Sequence, residues 1–474
     1  MRSPIASTIF CQRGVAAALA LALAATPIML ALGAQPAAAD VRRTDVISTS
    51  TMEERGISAA SCPAIDAERA IVVDSNGKVY FERNADDPAN IASITKVMTA
   101  VCALDAAPLD TTVTVSALAA EVGESSAHLQ EGDTLTLETA LKALMIPSGN
   151  DAAIAIAESV GKVMLGGTAT DEEALAAFVS AMNDKAAEIG CTDSVFENPH
   201  GLDDGEWAGN LHSTARDVSK IAAYAMSNDT FRSIVSLDAE TIRVTRDGEQ
   251  AEITLESTDE LLGVYEGACG IKTGFTDLAG ACFAGAASRD GLELYAVVLK
   301  SSSEAQRFTD ATTLFDWVYD GYVTYKLAHA AESTAMTIDG ESRDVPVVAE
   351  VAQTCWSDKR VKATFADPDA SVEVFAFDGN ISQQFSFDEP DGAVNVGDKL
   401  GKATFFQNGT VVATVDLIAC ENAPAPDLLQ SIGIWWERFI GGFTGAEAQA
   451  TSLTLNDTPL LYNKQTSSVM KTEV

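Results

Sequence analysis

Two tight-turn signals set far apart, with helical spacing between them, restrict this chain to a narrow choice of folds. The apolar run Ala70 to Val73 and the alternating run Val79 to Phe81 flank Asn76-Gly77, a pair preferred in two-residue hairpin turns. Asp290-Gly291 joins strand-like segments at 280–288 and 292–300, with a further one at 268–275. Between the two signals, residues 92–105 carry apolar residues at helical spacing. Thr170-Asp171-Glu172-Glu173 is a capping-box start to a helix running to Gly190, and His212-Ser213-Thr214 opens another through Ile221 and Met226. A helix from about Ser303 to Tyr322 closes the region. Two strands, helices, three strands and a helix predict an α+β domain with one antiparallel sheet.

From 335 to 421 the pattern changes to short alternating runs, such as Val372 to Phe377 and Ala403 to Val415, the latter bent at Asn408-Gly409. This predicts a separate small β-rich domain, ended by Pro424 and Pro426. Beyond it, 427–443 places Leu428, Leu429, Ile432, Trp435, Trp436, Phe439 and Ile440 on one broad helical stripe. Two tryptophans on such a stripe suit a membrane interface, whereas Glu437 and Arg438 make it a poor spanning helix. A helix docked on its own protein fits the same pattern. The polar remainder, 444–474, is expected to be a disordered tail.

At the other end, Arg2 and Arg13 precede an apolar run from Val15 to Leu32, and Ala37, Ala38 and Ala39 supply small residues before Asp40. Residues 1–39 therefore read as a secretory signal, with 40–62 as a linker. A retained membrane helix is the other reading of the run; both place the remainder outside the cytoplasm. Loss of 1–39 removes two of 31 basic residues and none of 68 acidic ones, which moves the formal charge from −37 to −39. Such a surface repels nucleic acid and anionic headgroups. Of eight cysteines, Cys11 leaves with the signal, and the rest are spaced too widely for a C-x-x-C redox or zinc site, with only four histidines in the chain. In an exported protein some can pair, and Cys355 with Cys420 is the expected pair because both lie in the β-rich segment.

Three short motifs carry chemistry. In Ser93-Ile94-Thr95-Lys96, positions i and i+3 share a helical face, so the amine lies within reach of a hydroxyl that is a weak nucleophile without a base. Ser148-Gly149-Asn150 follows Pro147 at a break between two helices, where it can aim side chains into a cleft or simply cap a helix. Lys272-Thr273-Gly274 lies on a predicted strand, offering a cation and a hydroxyl to a carboxylate, with a missing side chain where a substrate backbone can approach. Each is common alone. The three in this order, on helix, loop and strand, are specific.

On these motifs the chain resembles the serine D-alanyl-D-alanine carboxypeptidases, the low-molecular-mass penicillin-binding proteins. The likeness extends to Ala92–Thr99, Ile146–Ala153, Asn198-Pro199-His200-Gly201-Leu202, Ser213–Asp217 and Gly270–Thr276, and covers roughly 63–325. The resemblance implies a β-lactamase/DD-peptidase-like domain over 63–326, with a five-stranded antiparallel sheet and helices, followed by the β-rich domain. It also implies that Ser93 attacks the carbonyl between two D-alanines of a peptidoglycan stem peptide, with Lys96 as base. Ser148 would relay a proton, and Asn150 would hold Lys96 and the substrate amide. Lys272, Thr273, Gly274 and Phe275 would bind substrate, with the Ser93 and Phe275 N–H groups around the oxyanion. β-Lactams would acylate Ser93, and no metal or organic cofactor is required. The expected place is the outer face of the cytoplasmic membrane.

Other readings share these residues. A β-lactamase needs a second base, for which Glu206 and Asn210 offer an E-x-x-x-N spacing. A DD-endopeptidase cutting cross-links, and a wall-binding protein without chemistry, remain open. His200 reads as a structural turn residue, Asp151 as a helix-start residue and Cys282 as packing.

Overall fold

The computed structural model describes residues 39–338, 340–444, 449–463 and 468–469, so residues 1–38 of the expected signal segment 1–39 lie outside the described residues. The central sheet runs in the order Ser50–Thr51, Val46–Ile47, Val79–Arg83, Arg69–Asp74, Leu292–Ser301, Gly280–Arg289, Ala268–Thr276, antiparallel throughout. The five long strands are those read from the sequence; the two short ones extend one edge.

Alternation along Leu292–Ser301 shows why its run is almost wholly apolar. Tyr295, Val297 and Leu299 pack against the helical block, while Leu294, Ala296 and Val298 meet Phe308, Leu314 and Phe315 of the helix Glu304–Asp320. A strand covered on both faces needs hydrophobic residues at consecutive positions. The helical block holds Thr95–Ala106, Leu137–Met145, Asn150–Met164, Asp171–Glu188 and Ala215–Met226. Thr170 and Glu173 form the reciprocal capping bonds expected of their spacing.

Four sequence expectations are corrected. Residues 40–62 are not a linker: Val46–Ile47 pairs with Val79–Arg83, Ile47 and Met52 enter the core, and Asp45 pairs with buried Arg83 at 2.8 Å. A second sheet, Thr112–Thr114, Thr134–Thr136, Ala239–Arg246 and Glu249–Glu256, was not foreseen. Its signal was present, since Ile242, Val244, Ile253 and Leu255 alternate around Asp247-Gly248, both at positive φ. Cys355 and Cys420 are not bonded to each other; Cys420 packs beside Met336 and Val345 instead.

The fourth concerns the tail. Over 449–463 it is packed: Leu453–Thr454 adds a strand beside Ala349–Ala352, Asn456 donates to the Leu327 carbonyl at 2.9 Å, and Leu461 and Tyr462 are buried. Two buried aliphatic and aromatic side chains and a strand pairing supply what the polar composition concealed. Residues 445–448, 464–467 and 470–474 of the expected tail lie outside the described residues.

The β-rich region is built on a six-stranded sheet, Ile381–Phe387, Lys399–Gln407, Thr410–Ala419, Arg360–Phe365, Ala349–Ala352 and Leu453–Thr454. Its Phe375 and Phe377 join the core under Tyr80 and Trp317, with Phe375 meeting Tyr80 edge-on at 4.9 Å. The helix Leu428–Thr444 docks through Arg438, which donates to the carbonyls of Thr354 and Trp356. Its stripe of Leu428, Leu429, Ile432, Trp435, Trp436, Phe439 and Ile440 stays exposed. Among the described residues no helix is long and apolar enough to cross a membrane.

Candidate active site

The three motifs meet at one cleft of about 380 Å³, walled by Ser93, Ser148, Asn150, Thr273, Gly274 and Phe275. Ser93 stands in a 3-10 turn, Ala92–Ile94, that leads into the helix Thr95–Ala106. In a 3-10 turn residues three apart eclipse. Lys96 is thus brought onto its partner, Nζ to Ser93 Oγ being 2.7 Å. Two more contacts hold the amine, 2.6 Å to Asn150 Oδ1 and 2.9 Å to the His200 carbonyl oxygen.

Lys96 is fully buried. Burial, and after it the charge of Lys272, push its pKa well below the ordinary lysine value, with Asp151 opposing. A neutral amine has two hydrogens and one lone pair. With the hydrogens given to the two carbonyl-type oxygens, the lone pair faces the Ser93 hydroxyl, which then donates to it.

Backbone geometry supports each motif. Ala92 and Ser148 both sit at positive φ, +48° and +67°, a strained conformation for residues with a Cβ that recurs at functional sites. A side chain at Gly149 would press on the Ala143 carbonyl oxygen at 2.7 Å. One at Gly274 would lie 3.2 Å from the Ser93 nitrogen. The Lys-Thr-Gly strand therefore approaches Ser93 as closely as a glycine permits. Asp151, beside Asn150, accepts from Ser126 Oγ and from the backbone N–H groups of Ala127, Leu129 and Ala152, which ties down the loop beneath Ser125. It is a helix-start residue that also anchors a wall of the cleft.

Lys272 is 1% exposed; burial and the neighbouring Arg307 lower its pKa to about 7, while Asp259 opposes. Asp259 is itself buried and pushed up to about 6. An arriving carboxylate would draw Lys272 back to its charged form. Thr273 Oγ1 lies 2.7 Å from Thr258 Oγ1.

Four contributors escaped the sequence reading. Arg307, on the following helix, donates to the Gly274 carbonyl at 3.3 Å and walls the cleft. Asp259 and Thr258 arrive from the loop before the strand, and the His200 carbonyl holds the Lys96 amine. No local pattern distinguishes Arg307 or Asp259 from surface charges. His200 is more than a turn residue: its Nδ1 accepts from the Leu202 N–H at 3.1 Å, leaving the hydrogen on Nε2, and burial keeps the ring neutral. Its ring meets Trp207 edge-on at 4.5 Å. Glu206 and Asn210 do not line the cleft, so the pair that a β-lactamase reading would use is not at Ser93. Cys282 is buried among the sheet residues, with its thiol pushed up to about 11 by burial.

Comparison with known proteins agrees with this arrangement. Residues 57–303 match the family model described as D-alanyl-D-alanine carboxypeptidase. The D-alanyl-D-alanine carboxypeptidase DacF of Bacillus subtilis is 26% identical over 368 residues, covering 76% of this chain and 86% of the relative. The D-alanyl-D-alanine carboxypeptidase of Streptomyces sp. strain K15 is 33% identical over 281 residues, covering 57% of this chain and 94% of the relative. The crystal structure of the Streptomyces K15 DD-transpeptidase superposes with a TM-score of 0.51 at 32% identity, over 54% of this chain and 98% of that one. A family match that spans more than half of the residues, and includes all three motifs of the cleft, means that this chain belongs to the D-alanyl-D-alanine carboxypeptidase family.

Proposed function

We propose that this chain hydrolyses the terminal D-Ala-D-Ala bond of peptidoglycan stem peptides through an acyl-enzyme on Ser93. The observation that carries this reading is the three-point setting of Lys96 against Ser93 Oγ, Asn150 Oδ1 and the His200 carbonyl. In the first half-reaction neutral Lys96 takes the hydroxyl proton as Ser93 Oγ bonds to the scissile carbonyl carbon. The C–N bond then breaks, and the leaving D-alanine amine receives its proton by way of Ser148. In the second, water attacks the ester, giving its proton to Lys96, and Ser93 leaves with a proton restored. The N–H groups of Ser93 and Phe275 would hold the oxyanion, a contribution of about 10²–10³ in rate per donor elsewhere. Lys272, Thr273 and Arg307 would take the terminal carboxylate, past the space that Gly274 leaves open.

A β-lactam presents a carboxylate beside a reactive amide, so it should acylate the same oxygen. Mass spectrometry after incubation with penicillin is expected to find one adduct, on the peptide containing Ser93. An adduct elsewhere, or none, would remove Ser93 as nucleophile. Release of D-alanine from a pentapeptide stem, against cleavage of a cross-linked dimer, separates carboxypeptidase from endopeptidase.

We also assign the protein to the cell envelope, outside the cytoplasm, with 63–326 as catalytic domain, 335–421 as a spacer or partner-binding module, and Leu428–Thr444 as the segment that meets the membrane. Because 449–463 packs into the body, deleting everything from 427 would disturb the fold. Substitution of Trp435, Trp436 and Phe439 by glutamate is the cleaner test. Each aromatic contributes roughly 1.5–3 kcal/mol when fully buried, so the triple variant should move from membrane to soluble fraction. Unchanged sedimentation with vesicles would show that another segment attaches the protein.

A further inference from the structure

We infer that Asp259 is a positioning residue for the substrate's terminal carboxylate, acting through Lys272: its fixed negative charge, set beside the Lys-Thr-Gly strand, keeps the Lys272 amine protonated without occupying it. The inference deepens the carboxypeptidase reading above and rests on it.

Lys272 needs such support. It is buried, and its Nζ donates at 3.0 Å to the Thr273 carbonyl oxygen, with Thr273 Oγ1 further off at 3.5 Å. Burial and, after it, the guanidinium of Arg307 favour loss of its proton. Of the groups that bear on Lys272, only Asp259 acts in the opposite direction. Asp259 in turn faces Lys272, Arg307 and its chain neighbour Glu260, while Arg307 also faces Glu304 and Cys282. Lys96 lies within the field of Lys272.

The place of Asp259 does not depend on its charge. Its Oδ1 accepts from the Leu261 N–H at 2.9 Å, closing a short side-chain turn. The residue before it ties that turn to two of the motifs. The Thr258 N–H donates to the Ile146 carbonyl at 3.3 Å, just ahead of Pro147-Ser148, and Thr258 Oγ1 meets Thr273 Oγ1 at 2.7 Å. An asparagine at 259 would close the same turn with its own Oδ1.

What the carboxylate adds is charge, and charge is costly here, because Oδ2 is buried with no hydrogen-bond partner. Neither oxygen bonds to Lys272. The attraction therefore acts through space in a poorly solvated interior, and the remaining ammonium hydrogens stay available to an arriving carboxylate. The role requires no contact between Asp259 and substrate.

The test measures, across pH and on the full-length protein, D-alanine release from Nα,Nε-diacetyl-L-Lys-D-Ala-D-Ala and acylation by labelled penicillin. In the unaltered protein kcat/KM should fall on the alkaline side as Lys272 loses its proton. In Asp259→Asn, which keeps the Leu261 bond, this limb should move down by about one pH unit, a tenfold loss of kcat/KM above it. The loss should lie in KM, since a bound carboxylate itself holds Lys272 charged, and the two proteins should converge as pH is lowered. Asp259→Glu, which restores the charge, should recover part of the loss. A residue that only holds the turn predicts the reverse pattern, with Asp259→Asn like the unaltered protein and Asp259→Ala impaired at every pH. That pattern, or an unmoved alkaline limb in Asp259→Asn, overturns the inference and leaves the carboxypeptidase reading standing. If penicillin acylates the unaltered protein but no D-alanine is released, the carboxypeptidase reading falls, and the acylation profiles decide the role of Asp259. Neither reaction in the unaltered protein overturns both.

Discussion

Lys96→Arg is expected to slow both penicillin acylation and D-alanine release by about a thousandfold, within the 10²–10⁴ range of a lost general base. Arginine retains positive charge at any pH the protein survives, so it cannot accept the Ser93 proton. It also cannot reproduce the contacts at 2.6–2.9 Å by which a primary amine meets three oxygens. The pH dependence has a definite sign. A lysine base acts only when neutral, so with Lys96 in the proposed role acylation should fall as pH drops through its pKa, which burial and Lys272 set below the ordinary lysine value. The ascending limb should therefore lie below the range of an exposed lysine, and the arginine variant should lack it. Time courses of labelled penicillin binding across pH measure this. Wild-type rates in Lys96→Arg would mean that another group is the base.

The second large effect concerns Gly201. Its φ is +94°, and a Cβ built there would overlap the Ala92 carbonyl oxygen, next to Ser93. Gly201→Ala should cost roughly 2–6 kcal/mol, combining left-handed strain of ~1–3 with overpacking of ~1–3. Gly205 offers the comparison. It has φ +54° but open space where an added methyl group would sit, so Gly205→Ala should show the strain alone, about 1 kcal/mol. Because the loop through Gly201 supplies the His200 carbonyl to Lys96 and the Pro199 carbonyl to Thr99 Oγ1, acylation should decline along with stability. Denaturant unfolding of the two variants gives the comparison; equal losses would show that the approach to Ala92 is not what demands a glycine at 201.

Much of the site was legible because its chemistry is local. Ser93 and Lys96 are three residues apart, Ser148 and Asn150 flank one glycine, and Lys272 to Gly274 are contiguous, so each cluster is assembled by a single turn, loop or strand. The hairpin turns were legible for the same reason, Asn-Gly and Asp-Gly being tolerant of positive φ. What escaped depends on residues distant in the chain. Asp45 reads as a linker charge until Arg83 closes on it. Leu461 and Tyr462 read as tail until the β-rich core and the Asn380 side chain receive them. Arg307 and Asp259 resemble many other charged residues in a chain of formal charge −37.

Periodicity, turn residues and motif order were sufficient to place the five long strands of the central antiparallel sheet and to set Lys96 beside Ser93, since these depend on neighbours within a few residues. Only the tertiary structure decided how strongly burial and Lys272 bias Lys96 toward its neutral form, and that the His200 carbonyl oxygen is the third atom that holds it. Burial and electrostatic fields are sums over groups brought together by folding, and no local stretch of sequence contains those sums.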